Sequence, residues 1–209
     1  MASPLRVKIC GVNSPAAYRA VVDAGADYLG FVFFPASPRA ITPAQARALC
    51  AGQPSGPQRV GLFVDPTPAE ITQALAQVPL DILQIHAPMP AIADIKSRFH
   101  LPVWQALGVT TAQDFPTPDA PADGYVVEAK PPAGATRPGG NAHRADWGLL
   151  ADWGGEKFWL LAGGLTAENV AGALRITGAP GADVSSGVES APGVKSAEKI
   201  VAFVAAVRG

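Results

Sequence analysis

A chain of 209 residues, 48% of them hydrophobic and 16% charged, can bury a sizeable core, and its 22 Gly and 21 Pro stay below the roughly 25–30% of composition that marks disordered or low-complexity chains. With 16 Lys+Arg against 17 Asp+Glu the net charge is −1. No long-range positive field then draws a nucleic-acid backbone or an anionic membrane, and neither is expected as a partner. Two cysteines, Cys10 and Cys50, are too few for a disulfide framework. Charges interrupt the first apolar stretch, where an export signal needs an unbroken run of about 7–15 residues. A cytoplasmic location is expected.

Short apolar runs rich in β-branched and aromatic residues alternate with longer Ala-rich segments of helical spacing. In chain order the spacing predicts strand 5–9, helix 15–24, strand 28–33, helix 43–51, strand 59–64, helix 68–77, strand 81–85, helix 92–99 and strand 103–106. A weak or missing helix follows, then strand 124–127, helix 147–153, strand 158–161, helix 167–177, strand 182–185 and helix 195–207. Three helix starts carry their own chemistry: Ser14-Pro15, Thr42-Pro43 and Thr67-Pro68 each join a side-chain cap to a proline whose missing N–H would have had no partner. The strands are continuous apolar runs, as expected for parallel strands covered on both faces. Eight such repeats fit one α/β domain over residues 1–209, a (β/α)₈ barrel, with an open doubly wound sheet as the competing topology. The long irregular stretch at 131–145 follows strand six, and loops of that length are often functional.

In a parallel barrel the reactive groups sit where the strands end at the C-terminal rim. That rule selects Lys8-Ile9-Cys10-Gly11, Ser37-Pro38-Arg39, Gln84-Ile85-His86, Glu128 with Gly139-Gly140, Ala162-Gly163-Gly164-Leu165, and the run from Asp183 to Glu189. The glycine-bearing loops after strands seven and eight expose backbone N–H groups ahead of helical turns, which suits a phosphate. Cys10 is either a small buried hydrophobe or a reactive thiol whose thiolate Lys8 is expected to favour. Cys50 reads as packing. His86 reads as a core or rim imidazole, and the three histidines are not spaced as zinc ligands, so no metal is expected. Arg39 is an anion binder or a solvated loop charge, and Glu128 is either paired with Lys130 or poised for proton transfer.

The segments KICG, AGADYLGFVFFPASPR, GLFVD, LDILQIH, LLAGGL with the following ENV, and DVSSGVESAPGVK resemble the phosphoribosylanthranilate isomerase family of tryptophan biosynthesis. The resemblance implies a (β/α)₈ barrel without metal or organic cofactor, acting on a small phosphorylated substrate as a monomer or homodimer. The implied reaction is an Amadori rearrangement of N-(5-phosphoribosyl)anthranilate to 1-(2-carboxyphenylamino)-1-deoxyribulose 5-phosphate, an aldose–ketose isomerisation. By the same resemblance Cys10 is the general base, and Glu128, standing where the family has an aspartate, is the general acid. Arg39 holds the anthranilate, His86 and Asp183 line the substrate pocket, and Gly140, Gly163, Gly164, Ser186 and Gly187 cradle the phosphate. Two further departures are Gly139-Gly140-Asn141-Ala142 for GGTG and His86-Ala87-Pro88 for HG. If the family glycine has a positive φ, Ala87 is expected to be strained. A related phosphosugar isomerase and a catalytically retired phosphosugar-binding barrel are the alternative readings.

Overall fold

The computed structural model describes residues 4–51, 56–130, 146–151, 153, 155 and 157–209. Eight parallel strands close into one barrel in sequence order, each hydrogen-bonded to the next and the last to the first. They are β1 (Arg6–Cys10), β2 (Tyr28–Val32), β3 (Gln58–Val64), β4 (Ile82–His86), β5 (Val103–Val109), β6 (Gly124–Ala129), β7 (Phe158–Leu161) and β8 (Gly181–Val184). Closure at β1–β8 pairs Lys8 with Asp183. The open doubly wound alternative is thereby excluded.

The helices on the outside are α1 (Pro15–Asp23), α2 (Pro43–Cys50), α3 (Pro68–Leu75), α4 (Met89–Arg98), α5 (Trp147–Ala151), α6 (Val170–Thr177) and α7 (Ala197–Arg208). The predicted caps operate: Ser14 accepts from the Ala17 N–H, and Thr42 and Thr67 form reciprocal capping boxes with Gln45 and Glu70. Between β5 and β6 stands only a 3₁₀ turn, Ala112–Asp114, followed by Pro116, Pro118 and Pro121, which resist a continuing helix. Phe115 covers that side by stacking on Trp153 at 4.9 Å.

Alternation along each strand produces two cores. Residues pointing outward, among them Val7, Ile9, Leu29, Phe31, Leu83, Ile85 and Val127, pack under the helices. Those pointing inward, Val60, Ile82, Trp104, Val126, Leu160 and Ala162, fill the barrel, with Tyr28 and Phe158 packed against them. Lys8, Cys10, Gln84 and Asp183 lie on the same inward phase. Gly30 faces them, and a Cβ there would stand 3.0 Å from Cys10 Sγ. The missing side chain makes room for the thiol.

Several bounds depart from the sequence reading: α4 starts at Met89 rather than 92, and β5 runs on to Val109 rather than ending at 106. Helix α6 starts at Val170 rather than 167, after a turn, and α7 starts at Ala197 because Ser196, not Lys195, caps it. Lys195 instead belongs to a small antiparallel hairpin, β9 (Glu189–Ala191) and β10 (Val194–Lys195). The turn is Pro192-Gly193, with Gly193 at φ 82°, a Pro-Gly signal that outweighs the helical spacing.

Candidate active site

A cleft opens at the C-terminal ends of the strands. Cys10, Arg39, His86, Glu128, Gly163, Gly164, Asp183, Ser186 and Gly187 all line it. The structure therefore brings together every predicted site residue within the described segments. Gly140, with the rest of 131–145, lies outside them.

Lys8 is fully buried, and its Nζ donates to Asp183 Oδ1 at 2.7 Å. Burial works against the ammonium, but Asp183 and Cys10 more than offset it, so Lys8 holds its proton more firmly than a free lysine. Cys10 is 5% exposed. Burial pushes its thiol up, Asp183 adds to the effect, and the Lys8 and Lys195 charges do not cancel it. Lys8 favours the thiolate, as expected, but burial of the thiol outweighs it. The Lys8 charge is neutralised at close range by Asp183, and the resting group is the thiol. His86, half-buried at the end of β4, is lowered to about 4 by burial and by Lys8, so its imidazole is neutral at physiological pH.

Arg39 is no solvated loop charge. Its Nε and Nη2 donate to the two carboxylate oxygens of Glu189, each at 2.8 Å, in a buried fork. Lys195 Nζ donates to Glu189 Oε1 at 2.8 Å, to the Ser185 carbonyl at 2.8 Å and to Ser185 Oγ at 3.2 Å. Burial alone would raise the Glu189 carboxyl, but the hydrogen bonds and charges of Arg39 and Lys195 hold it down at about 2. Burial lowers Lys195, against the pull of Glu189. Glu189 closed the run selected from sequence at the end of strand eight but was given no role, and Lys195 was read as the start of a helix. The Pro-Gly turn between them was the available signal.

The two glycine loops lie side by side. Gly163 and Gly164 take φ of 86° and 64°, the left-handed region that favours glycine. Asn169 braces their loop: its Oδ1 accepts from the Thr166 N–H at 2.9 Å, and its Nδ2 donates to the Gly164 carbonyl at 3.0 Å. This bracing explains why regular helix begins only at Val170. Gly187, in a 3₁₀ turn spanning Ser186–Val188, sits so close to the first loop that a Cβ would lie 1.9 Å from the Leu165 carbonyl oxygen.

Glu128 is half-buried at the end of β6 and faces the cleft, while Lys130 Nζ comes within 3.9 Å of Asp114 Oδ1 outside it. Ala87 is not strained, since among the described residues Asp65 alone combines a side chain with a positive φ. Cys50 is buried in the outer core, as its packing reading requires. Among the described residues no group of three or more His, Cys, Asp and Glu side chains gathers as a metal site, and no helix is long and apolar enough to cross a membrane.

A sequence profile of the family described as "N-(5'phosphoribosyl)anthranilate (PRA) isomerase" matches residues 7–206. The N-(5'-phosphoribosyl)anthranilate isomerase of Paracoccus denitrificans is 53% identical over 207 residues, covering 95% of this chain and 95% of that protein. The enzyme of the same name from Acidiphilium cryptum is 51% identical over 201 residues, covering 96% and 97%. A crystal structure of a phosphoribosyl anthranilate isomerase in complex with reduced 1-(o-carboxyphenylamino)-1-deoxyribulose 5-phosphate superposes with a TM-score of 0.80 at 30% identity, covering 98% of this chain and 99% of the other.

Proposed function

Because the chain belongs to the N-(5'-phosphoribosyl)anthranilate isomerase family, we propose that it converts N-(5-phosphoribosyl)anthranilate to 1-(2-carboxyphenylamino)-1-deoxyribulose 5-phosphate in tryptophan biosynthesis, with Cys10 as general base and Glu128 as general acid. The observation that carries the assignment is the shared cleft: a thiol, a carboxylic acid, a buried guanidinium and two abutting glycine loops line one space.

The substrate has two anionic ends. Its phosphate suits the loops at Gly163-Gly164 and Ser186-Gly187, where backbone approaches without side chains. Its aromatic carboxylate suits Arg39, which carries the only permanent positive charge among the described lining residues. Phe34, Val32 and Leu62 offer apolar surface beside Arg39 for the ring. Fixing both ends orients the sugar between the acid and the base.

Glu128 delivers a proton to the furanose ring oxygen as the bond from that oxygen to the anomeric carbon breaks. The nitrogen lone pair forms the C=N bond of a protonated Schiff base. The Cys10 thiolate then takes the C2′ proton, and the electrons of that C–H bond move to form C1′=C2′ while the C=N π pair returns to nitrogen. The resulting enolamine loses the proton of its C2′ hydroxyl and gains one at C1′, giving the ketone. Only the minority of molecules with Cys10 ionised are competent at neutral pH, and Lys8 and Lys195 are the charges that enlarge that fraction. His86, neutral beside the reacting atoms, can donate or accept a hydrogen bond without adding charge.

The test is a turnover assay. N-(5-phosphoribosyl)anthranilate is generated in situ, purified protein is added in the presence of EDTA, and loss of substrate fluorescence is followed while the next pathway enzyme traps the product. Saturable conversion is the expected result. Phosphate binding without conversion would replace the isomerase with a non-catalytic phosphosugar binder.

A further inference from the structure

Arg39 carries five N–H donors, and the fork to Glu189 engages only Nε and one Nη2 proton. The Nη1 protons and the second Nη2 proton lie on the other edge of the same planar group, an edge that also matches a carboxylate. The position of that edge depends on Glu189. The Glu189 carboxylate in turn binds Lys195, whose ammonium is hydrogen-bonded to the carbonyl and hydroxyl of Ser185, the residue immediately before the Ser186–Val188 turn. One carboxylate therefore connects the cation at one end of the cleft to the loop at the other. Two cations against one anion leave a single positive charge on this wall, enough for one carboxylate.

We propose that Glu189 is a positioning residue that sets the carboxylate-binding edge of Arg39 and, through Lys195, holds it at a fixed distance from the phosphate-binding loop, so that the enzyme selects substrates bearing both anionic ends. The proposal rests on the isomerase reading above. It adds a residue to that reading and gives a reason for the β9–β10 hairpin. The hairpin is docked independently of the ion pairs: Asn13 Nδ2 donates to the Gly193 carbonyl at 3.1 Å, and a Cβ on Gly193 would lie 2.3 Å from the Pro38 carbonyl oxygen, so hairpin and Arg39 loop are in direct backbone contact. Removing the Glu189 charge should thus lower stability without undocking the hairpin.

The experiment measures kcat, KM and the inhibition constant of inorganic phosphate for wild type, Glu189→Gln and Glu189→Asp, with circular dichroism to confirm folding. Losing a charge-assisted restraint on Arg39 should raise KM roughly 10–100-fold in Glu189→Gln. At the same time kcat should change by less than about threefold, and phosphate inhibition should stay within about twofold. Glu189→Asp, which keeps the charge with a shorter reach, should fall between the two. An unchanged KM in folded Glu189→Gln would overturn the proposal. So would parallel loss of phosphate and substrate affinity, which marks a general structural role. If Glu189→Gln does not fold, Glu189→Asp is read by the same criteria. Wild-type turnover tests the isomerase reading by itself, so an active wild type with an indifferent variant condemns only the role of Glu189.

Discussion

The Lys8 ammonium stands 2.7 Å from the Asp183 carboxylate, wholly inside the barrel and two residues from the Cys10 thiol on the same strand face. The two partners act on that thiol in opposite directions, Lys8 lowering and Asp183 raising its proton affinity. Asp183→Asn should therefore move the midpoint of Cys10 alkylation by iodoacetamide to lower pH, and Lys8→Met should move it higher. Rates measured between pH 7 and 10, with Cys50→Ala as background, check both signs. In the unsubstituted protein the midpoint should lie above the ordinary thiol value of about 8.5.

Replacing the proposed base should cost turnover rather than binding. Cys10→Ala is expected to lower kcat by at least about 10²-fold with KM within a few-fold, the range general acid–base groups contribute. Glu128→Asp should retain more activity than Glu128→Gln, because only the former keeps a proton to give. Equal activity in the two would remove Glu128 from the acid's role.

His86 should titrate near 4 in the folded protein, visible as the midpoint of its imidazole proton shifts by NMR. An unfolded chain takes up that proton near pH 6.5. Between these values the unfolded state binds more protons than the folded one, so this residue makes stability rise with pH across the window and fall as pH drops through it. His86→Gln should flatten that part of the profile in urea titrations.

Glu189 produces a second acid-sensitive window. Its folded carboxyl is held at about 2, below the ordinary glutamate value of about 4.3. Its contribution is complete above about 4.3 and is lost as pH falls from there towards 2. Urea midpoints for wild type and Glu189→Gln should differ most at pH 5 and converge on acidification.

Gly187→Ala tests the contact between the two glycine loops. A methyl group 1.9 Å from the Leu165 oxygen cannot be accommodated without separating the loops, at a cost of about 1–3 kcal/mol for overpacking. Thermal unfolding should fall by several degrees and phosphate inhibition should weaken markedly. The Glu189 variants should leave phosphate inhibition intact, which separates the two effects.

Local chemistry made most of the barrel legible. The caps at Ser14, Thr42 and Thr67 announce their helices within four residues. Rim residues followed once strand ends were placed, because in this architecture the reactive groups stand at those ends. Pairings between distant segments were not legible. Arg39 read equally as a solvated charge because its partner lies 150 residues away. Lys195 read as helix because its side chain fits helical spacing, while Pro192-Gly193 turns the backbone first. The ionisation of Cys10 depends on burial and three surrounding charges, a balance that neighbouring residues in sequence do not set.

Two buried cations, one in the barrel interior and one on the cleft wall, are made early and their partners late: Lys8 waits 175 residues for Asp183, and Arg39 waits 150 for Glu189. A ribosome-bound fragment ending after β4 would hold both charges without the carboxylates that make their burial tolerable, and an uncompensated buried charge costs several kcal/mol. Half-barrels of this sequence are thereby disfavoured as resting states on the way to the native fold. The same groups that prepare the cleft for an anionic substrate make completion of the C-terminal strand a condition for the N-terminal half to settle.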